Sequence, residues 1–205
     1  MANESKPQIY LISPPQFDLS GYGDVLAEIL DSQAVACMRL SLASKDEDTI
    51  ARSADHLREI CHARDVALVV EDHFRLVERL GLDGCHLSDG PRLLRDVRKD
   101  LGQEAIIGCY CGTSKHSGLS AGEIGADYVT FGPVSTSALG DGSVVDLDLF
   151  AWWSEMIEVP VVAEGGLTVE LVRQLAPVTD FLAIGAEIWA SDTPLAAMKA
   201  ILAPL

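Results

Sequence analysis

The feature that most constrains this chain is a rhythm. Eight short apolar segments of strand length recur along it: Ile9–Ser13, Ala34–Leu40, Val66–Val70, Gly84–Leu87, Ala105–Cys109, Tyr128–Phe131, Pro160–Ala163 and Phe181–Ile184. They are rich in Val, Ile and Tyr and apolar on both alternations, as strands of a parallel sheet covered on both faces must be. Segments of helical period lie between them. Ile50, Ala54, Leu57, Ile60 and Cys61 line one helix face while Asp55, Glu59 and Arg64 point away. Leu76, Val77 and Leu80 mark a shorter helix stopped by Gly81, and Leu93, Leu94 and Val97 a third, entered through Pro91. Further helices are read at Gly23–Asp31, Ser117–Ile124, Leu147–Met156, Val169–Leu175 and Pro194–Ile201.

Eight β-then-α units in 205 residues repeat about every 26 residues, which predicts an α/β fold, a single (β/α)8 TIM barrel spanning residues 1–205. A doubly wound sheet ranks second, because no GxGxxG follows the first strand. In a barrel the functional residues sit at the carboxyl ends of the strands, so each of those ends is a place to look for chemistry.

Charge narrows the partners. Fifteen Lys and Arg stand against 31 Asp and Glu, a net charge of −16. Such a surface repels nucleic acid and anionic membrane, so neither is expected as a partner. No apolar run approaches a membrane span, Met1–Pro7 has no apolar leader core, and the five cysteines form no CxxC pair. A cytoplasmic protein is expected, its cysteines mostly small buried hydrophobes, with Cys111 able to reach the surface. The sequence leaves a homo-oligomer open.

At the end of strand 7, Glu164-Gly165-Gly166 offers paired glycines whose amides can approach an anion, and Gly185 after strand 8 supplies a second such turn. Together they predict a site for a phosphorylated small molecule. Glu71 and Asp72 end strand 3 and Asp89 follows strand 4. Carboxylates on neighbouring strand ends can share a Mg²⁺, so Asp72 and Asp89 are the expected metal ligands, although each also suits a helix start or a turn. Arg39, closing strand 2, is read as a clamp on ligand phosphate. Lys115 and His116 could bring positive charge to the mouth from the loop after strand 5. His86 reads as an interior histidine, and Trp152-Trp153 as helix packing.

Several runs resemble the thiamine phosphate synthase family: Tyr10-Leu11-Ile12-Ser13, Asp83-Gly84-Cys85-His86-Leu87, Ile106-Ile107-Gly108, Gly125-Ala126-Asp127-Tyr128-Val129, Phe131-Gly132-Pro133-Val134, and Val159-Pro160-Val161-Val162-Ala163 with Gly165-Gly166. The likeness runs from about Gln8 to Ala197 in the same order and spacing. It implies a transferase of thiamine biosynthesis that joins hydroxymethylpyrimidine diphosphate to thiazole phosphate and releases pyrophosphate. By this resemblance Arg39 contacts the diphosphate and Asp72 binds Mg²⁺. Gly165, Gly166 and Gly185 hold the thiazole phosphate, and Ser135 and Ser137 come from the loop after strand 6. The family's glutamine and lysine on strand 2 fall on Cys37 and Ser41, its asparagine before the metal aspartate on Glu71, and its second metal aspartate on Pro91. The loop after strand 6 carries no cation. Two alternatives stay open. One is the related thiazole tautomerase, with an acid/base among His116, Glu71 and Glu164, although its histidine position holds Pro133. The other is a non-catalytic paralogue that binds a thiazole or pyrimidine phosphate.

Overall fold

A computed structural model describes residues 6–205 of the chain. The stretch at residues 1–5, part of the segment read above as lacking a leader core, lies outside the described residues. Eight strands, β1 (Gln8–Ile12), β2 (Val35–Leu40), β3 (Ala67–Glu71), β4 (Gly84–Leu87), β5 (Ile106–Tyr110), β6 (Tyr128–Phe131), β7 (Val161–Glu164) and β8 (Phe181–Ile184), pair in parallel in chain order, and β8 closes on β1. The predicted (β/α)8 barrel is the observed fold.

Around it lie α1 (Leu19–Ser32), α2 (Glu47–His62), α3 (Arg75–Leu80), α4 (Leu94–Leu101), α5 (Lys115–Ile124), α6 (Asp148–Met156), α7 (Val169–Leu175), α8 (Ala186–Trp189) and α9 (Pro194–Ile201). Their starts follow local side-chain chemistry. α1 begins earlier than its apolar stripe suggests, because Asp18 accepts from the Ser20 and Gly21 amides. Asp46, Ser114 and Thr168 cap α2, α5 and α7 in the same way. Residues Gly90–Arg92 form a separate 3₁₀ turn ahead of α4, which leaves Leu93 half exposed instead of on the buried stripe. The four-residue α8 was not foreseen, since its Ala-Glu-Ile-Trp run is too short to show a helical period.

The parity of each strand sorts its side chains. Leu11, Met38, Leu68, Val70, Ile107, Val129, Phe131, Val161 and Leu182 face the helices and form the large outer core. Tyr10, Cys37, Val69, Tyr128, Val162 and Ala183 fill the barrel interior as a second cluster. Gly108 makes room there: a Cβ on it would lie 1.9 Å from the Tyr128 ring. All five cysteines are buried and free, Cys111 included, against the expectation that it could reach the surface. Its chain has turned inward after β5, where its amide donates to Thr130 O.

The floor of the barrel is closed by a repeated device. Asp83, Asp127 and Asp180, each just before an even-numbered strand, accept from the Leu68, Ile107 and Val161 amides at the start of the strand before. Each of these aspartates also donates its own amide to the carbonyl of that same residue. Asp127 further holds Arg98, whose guanidinium reaches the Gly102, Ala105 and Gly125 carbonyls.

Candidate active site at the carboxyl mouth of the barrel

A cavity of about 800 Å³ opens at the carboxyl ends of the strands, lined among others by Arg39, Glu71, His86, Glu164, Gly166 and Glu187. Beneath it the barrel interior is polar and buried. The Tyr10 and Tyr128 hydroxyls lie 2.7 Å apart, and Tyr128 Oη is 3.1 Å from His86 Nδ1. Burial, and secondarily the Arg39 charge, hold the His86 pKa well below the ordinary range, so the imidazole is neutral near pH 7. Among the described residues its Nε2 has no hydrogen-bond partner, and neither have the buried Arg39 Nε and Thr130 Oγ1.

Arg39 stands above this layer. It is 4% exposed, and its guanidinium makes a two-pronged contact with the buried carboxylate of Glu164, with Nη1 3.2 Å from Oε2 and Nη2 bonded to Oε1. Its Nε lies 3.5 Å from Glu71 Oε2. The strand-2 arginine does reach the mouth, but its charge is taken up by protein carboxylates that spacing alone could not place opposite it. Burial raises the Glu71 pKa, and the Arg39 charge lowers it only in part.

The glycine turns lie together as well. Gly165 and Gly166 have φ of +84° and +81°, and a Cβ on Gly166 would lie 2.2 Å from Ser135 Oγ. That closeness comes from the loop after β6. Its Ser135 hydroxyl donates to Gly166 O, while the Val134 amide bonds the Glu164 and Gly165 carbonyls. Ser137 lines the cavity and accepts from the Leu139 amide. Two of the three glycine amides expected to be free for an anion, those of Gly166 and Gly185, are not. Glu187 Oε1 accepts from the Gly166 and Leu167 amides at 2.8 and 3.1 Å, and its Oε2 accepts from the Gly185 amide at 2.8 Å. Sequence reading missed Glu187, although an acidic side chain two residues after Gly185 was a signal that the turn could fill its own cradle.

Asp72 and Asp89 each have a partner within the protein. Asp72, at φ +57°, accepts from both the amide and the hydroxyl of Ser88. Asp89 is 79% exposed and faces Arg92 across 3.4 Å, because the chain turns away into the 3₁₀ segment. Among the described residues no cluster of three or more His, Cys, Asp or Glu could hold a metal ion by protein ligands alone. Lys115 and His116 stand outside the cavity on the first turn of α5, with the Lys115 ammonium 3.0 Å above the centre of the Trp152 ring.

The model of the family described as thiamine monophosphate synthase matches residues 9–191. The chain belongs to this family. Its relatives include the thiamine-phosphate synthase of Rhodospirillum centenum, 40% identical over 184 residues and covering 89% of each chain. The thiamine-phosphate synthase of Erythrobacter litoralis is 38% identical over 195 residues, 92% of this chain and 91% of that one. Among solved structures, thiamine phosphate pyrophosphorylase from Pyrococcus furiosus superposes with a TM-score of 0.80 at 21% identity, covering 96% of this chain and 93% of that one. At that identity the superposition speaks for the barrel alone. Within the thiamine monophosphate synthase family, then, this member carries a mouth where one arginine meets Glu71 and Glu164 while Glu187 fills the amide cradle.

Proposed function

We propose that the protein is a transferase of thiamine biosynthesis that joins hydroxymethylpyrimidine diphosphate to thiazole phosphate and releases pyrophosphate. Membership of the thiamine monophosphate synthase family over residues 9–191 supports the reaction class. The observation that carries the reading in this chain is the mouth cavity. It sets a buried guanidinium, Arg39, and a cradle of backbone amides, at Gly166, Leu167 and Gly185, around one space.

The reaction needs little covalent help from the protein. The bond between the pyrimidylmethyl carbon and the diphosphate oxygen breaks, and its electron pair leaves with the diphosphate. The thiazole nitrogen lone pair then forms the new C–N bond, and no proton moves. Catalysis is therefore positioning and electrostatics. Arg39 turns its guanidinium from Glu164 toward the departing diphosphate. Glu71 and Glu164 then face the cationic pyrimidine carbon, and their charge favours it over the neutral ground state. The loop carrying Ser137 to Gly140 lies over the cavity and limits the access of water to that carbon. The amide cradle takes the thiazole phosphate once the Glu187 side chain has left it. Mg²⁺ serves this reaction class in the family; were it bound here, Asp72 and Asp89 would be the carboxylates to hold it together with the substrate's phosphates, and it would neutralise charge on the leaving diphosphate. The five free thiols suit work in the reducing cytoplasm. No helix among the described residues is long and apolar enough to cross a membrane.

The test is to incubate the purified protein with both substrates and Mg²⁺, following thiamine phosphate by mass spectrometry and pyrophosphate by a coupled assay. Stoichiometric formation of both is expected. Pyrimidine alcohol without the joined product, or no turnover by folded protein, overturns the reading.

A further inference from the structure

The cradle at the ends of β7 and β8 is filled by the chain itself. Three amides from two separate loops converge on one carboxylate, and both of its oxygens are used. The pose is held from below. α8 is pinned to the end of β1 by the Trp189 indole N–H, which donates to Ile12 O at 2.7 Å, and Trp189 packs edge-on against Tyr22. Glu187 can therefore leave the cradle by rotating its own side chain, without movement of the helix that bears it. It is half-buried and lines the cavity, so a ligand tail arriving at these amides meets it directly.

We infer that Glu187 is a specificity-determining residue: a built-in anion that competes with the acceptor's phosphate for the Gly166, Leu167 and Gly185 amides. The inference rests on the reading proposed above and adds to it the chemistry that selects the acceptor. Charge-assisted bonds to backbone amides are strong, and a phosphate can make them here only after displacing a group that already makes them. Two anions cannot share the cradle, because the carboxylate and the phosphate would stand against each other in a partly desolvated space. An acceptor whose tail ends in an uncharged hydroxyl meets no such conflict. It can sit beside the seated carboxylate and donate a hydrogen bond to it. Glu187 thus reduces the advantage that a phosphorylated thiazole would hold over the thiazole alcohol.

The experiment measures inorganic phosphate binding by calorimetry, and separately kcat/KM for thiazole phosphate and thiazole alcohol, on the wild type, Glu187→Ala and Glu187→Gln. Circular dichroism and melting first establish that each variant is folded. Glu187→Gln keeps an acceptor oxygen for the cradle amides and serves if the alanine variant does not fold. Phosphate is expected to bind Glu187→Ala at least tenfold more tightly than the wild type, with Glu187→Gln between them. The ratio of kcat/KM for phosphate over alcohol acceptor is expected to rise by a similar factor. Equal phosphate affinity in the wild type and every folded variant, including no detectable binding by any of them, overturns the inference. So does an unchanged acceptor ratio in active variants. Tighter phosphate binding by variants that turn over neither acceptor would uphold the competition at the cradle and count instead against the transferase reading.

Discussion

At the residue scale the mouth is governed by groups that satisfy one another. Arg39 and Glu164 are both nearly inaccessible, so removing either leaves a buried charge facing the other's empty place. Glu164→Gln is expected to cost about 3–5 kcal/mol in urea unfolding. Arg39→Met with Glu164→Gln should cost clearly less than the sum of the single changes, a double-mutant cycle being the check. His86 gives a pH signature. Below about pH 6.5 the unfolded chain takes up a proton that the folded imidazole refuses, so the unfolded state binds more protons and stability falls on acidification. The slope is up to about 1.4 kcal/mol per pH unit for one proton. Glu71 acts with the opposite sign lower down. Its folded pKa is raised, so between the ordinary carboxylate value and that raised one the folded state holds the extra proton, and acidification there stabilises. Unfolding measured from pH 7.5 to 5.5 should show the fall in the wild type, and His86→Asn should flatten it.

At the scale of elements, what could be read from the sequence divides by range. The strands and most helices were legible, because two-sided apolar runs and 3.6-residue stripes are local signals that packing then confirms. The start of α1 at Leu19 was not, since a cap at Asp18 outweighs the position of the first buried residue. At the mouth, reading along the chain found Arg39, Gly166 and Gly185 because each sits at a strand end. It could not pair Arg39 with Glu164, because the two lie 125 residues apart and the fold alone brings them together. Asp127, within one of the runs that carry the family likeness, proves to belong to the opposite end of the barrel. It clasps the start of β5 and holds Arg98, so its work is architectural. Asp127→Ala should lower stability by about 1–3 kcal/mol, through the orphaned Ile107 amide and Arg98, and leave KM unchanged. Gly108→Ala attacks the interior from β5. Its methyl would displace the Tyr128 ring and cost roughly 1–3 kcal/mol or more, read as a lower midpoint in urea.

For the molecule as a whole, the charge of −16 and the carboxylates around the mouth work against the arrival of anionic substrates. Screening relieves that repulsion, so kcat/KM for the pyrimidine diphosphate should rise several-fold between about 0.01 and 0.15 M salt, the reverse of ordinary electrostatic steering. The thiols behave as one population: burial pushes Cys61 and Cys85 up to about 12, and all five are shielded. A thiol reagent at pH 8 should therefore label none of them until the chain unfolds.

The layer formed by Tyr10, Tyr128 and His86 stops the barrel beneath the cavity. Such a chamber has a single doorway, through which both reactants enter and both products depart. Traffic through it must be sequential: whatever lies deepest at the end of a cycle has to back out before the next cycle can begin. The product, two rings linked through one methylene carbon, should consequently inhibit against both reactants, and its exit, more than the making of the bond, should pace the enzyme.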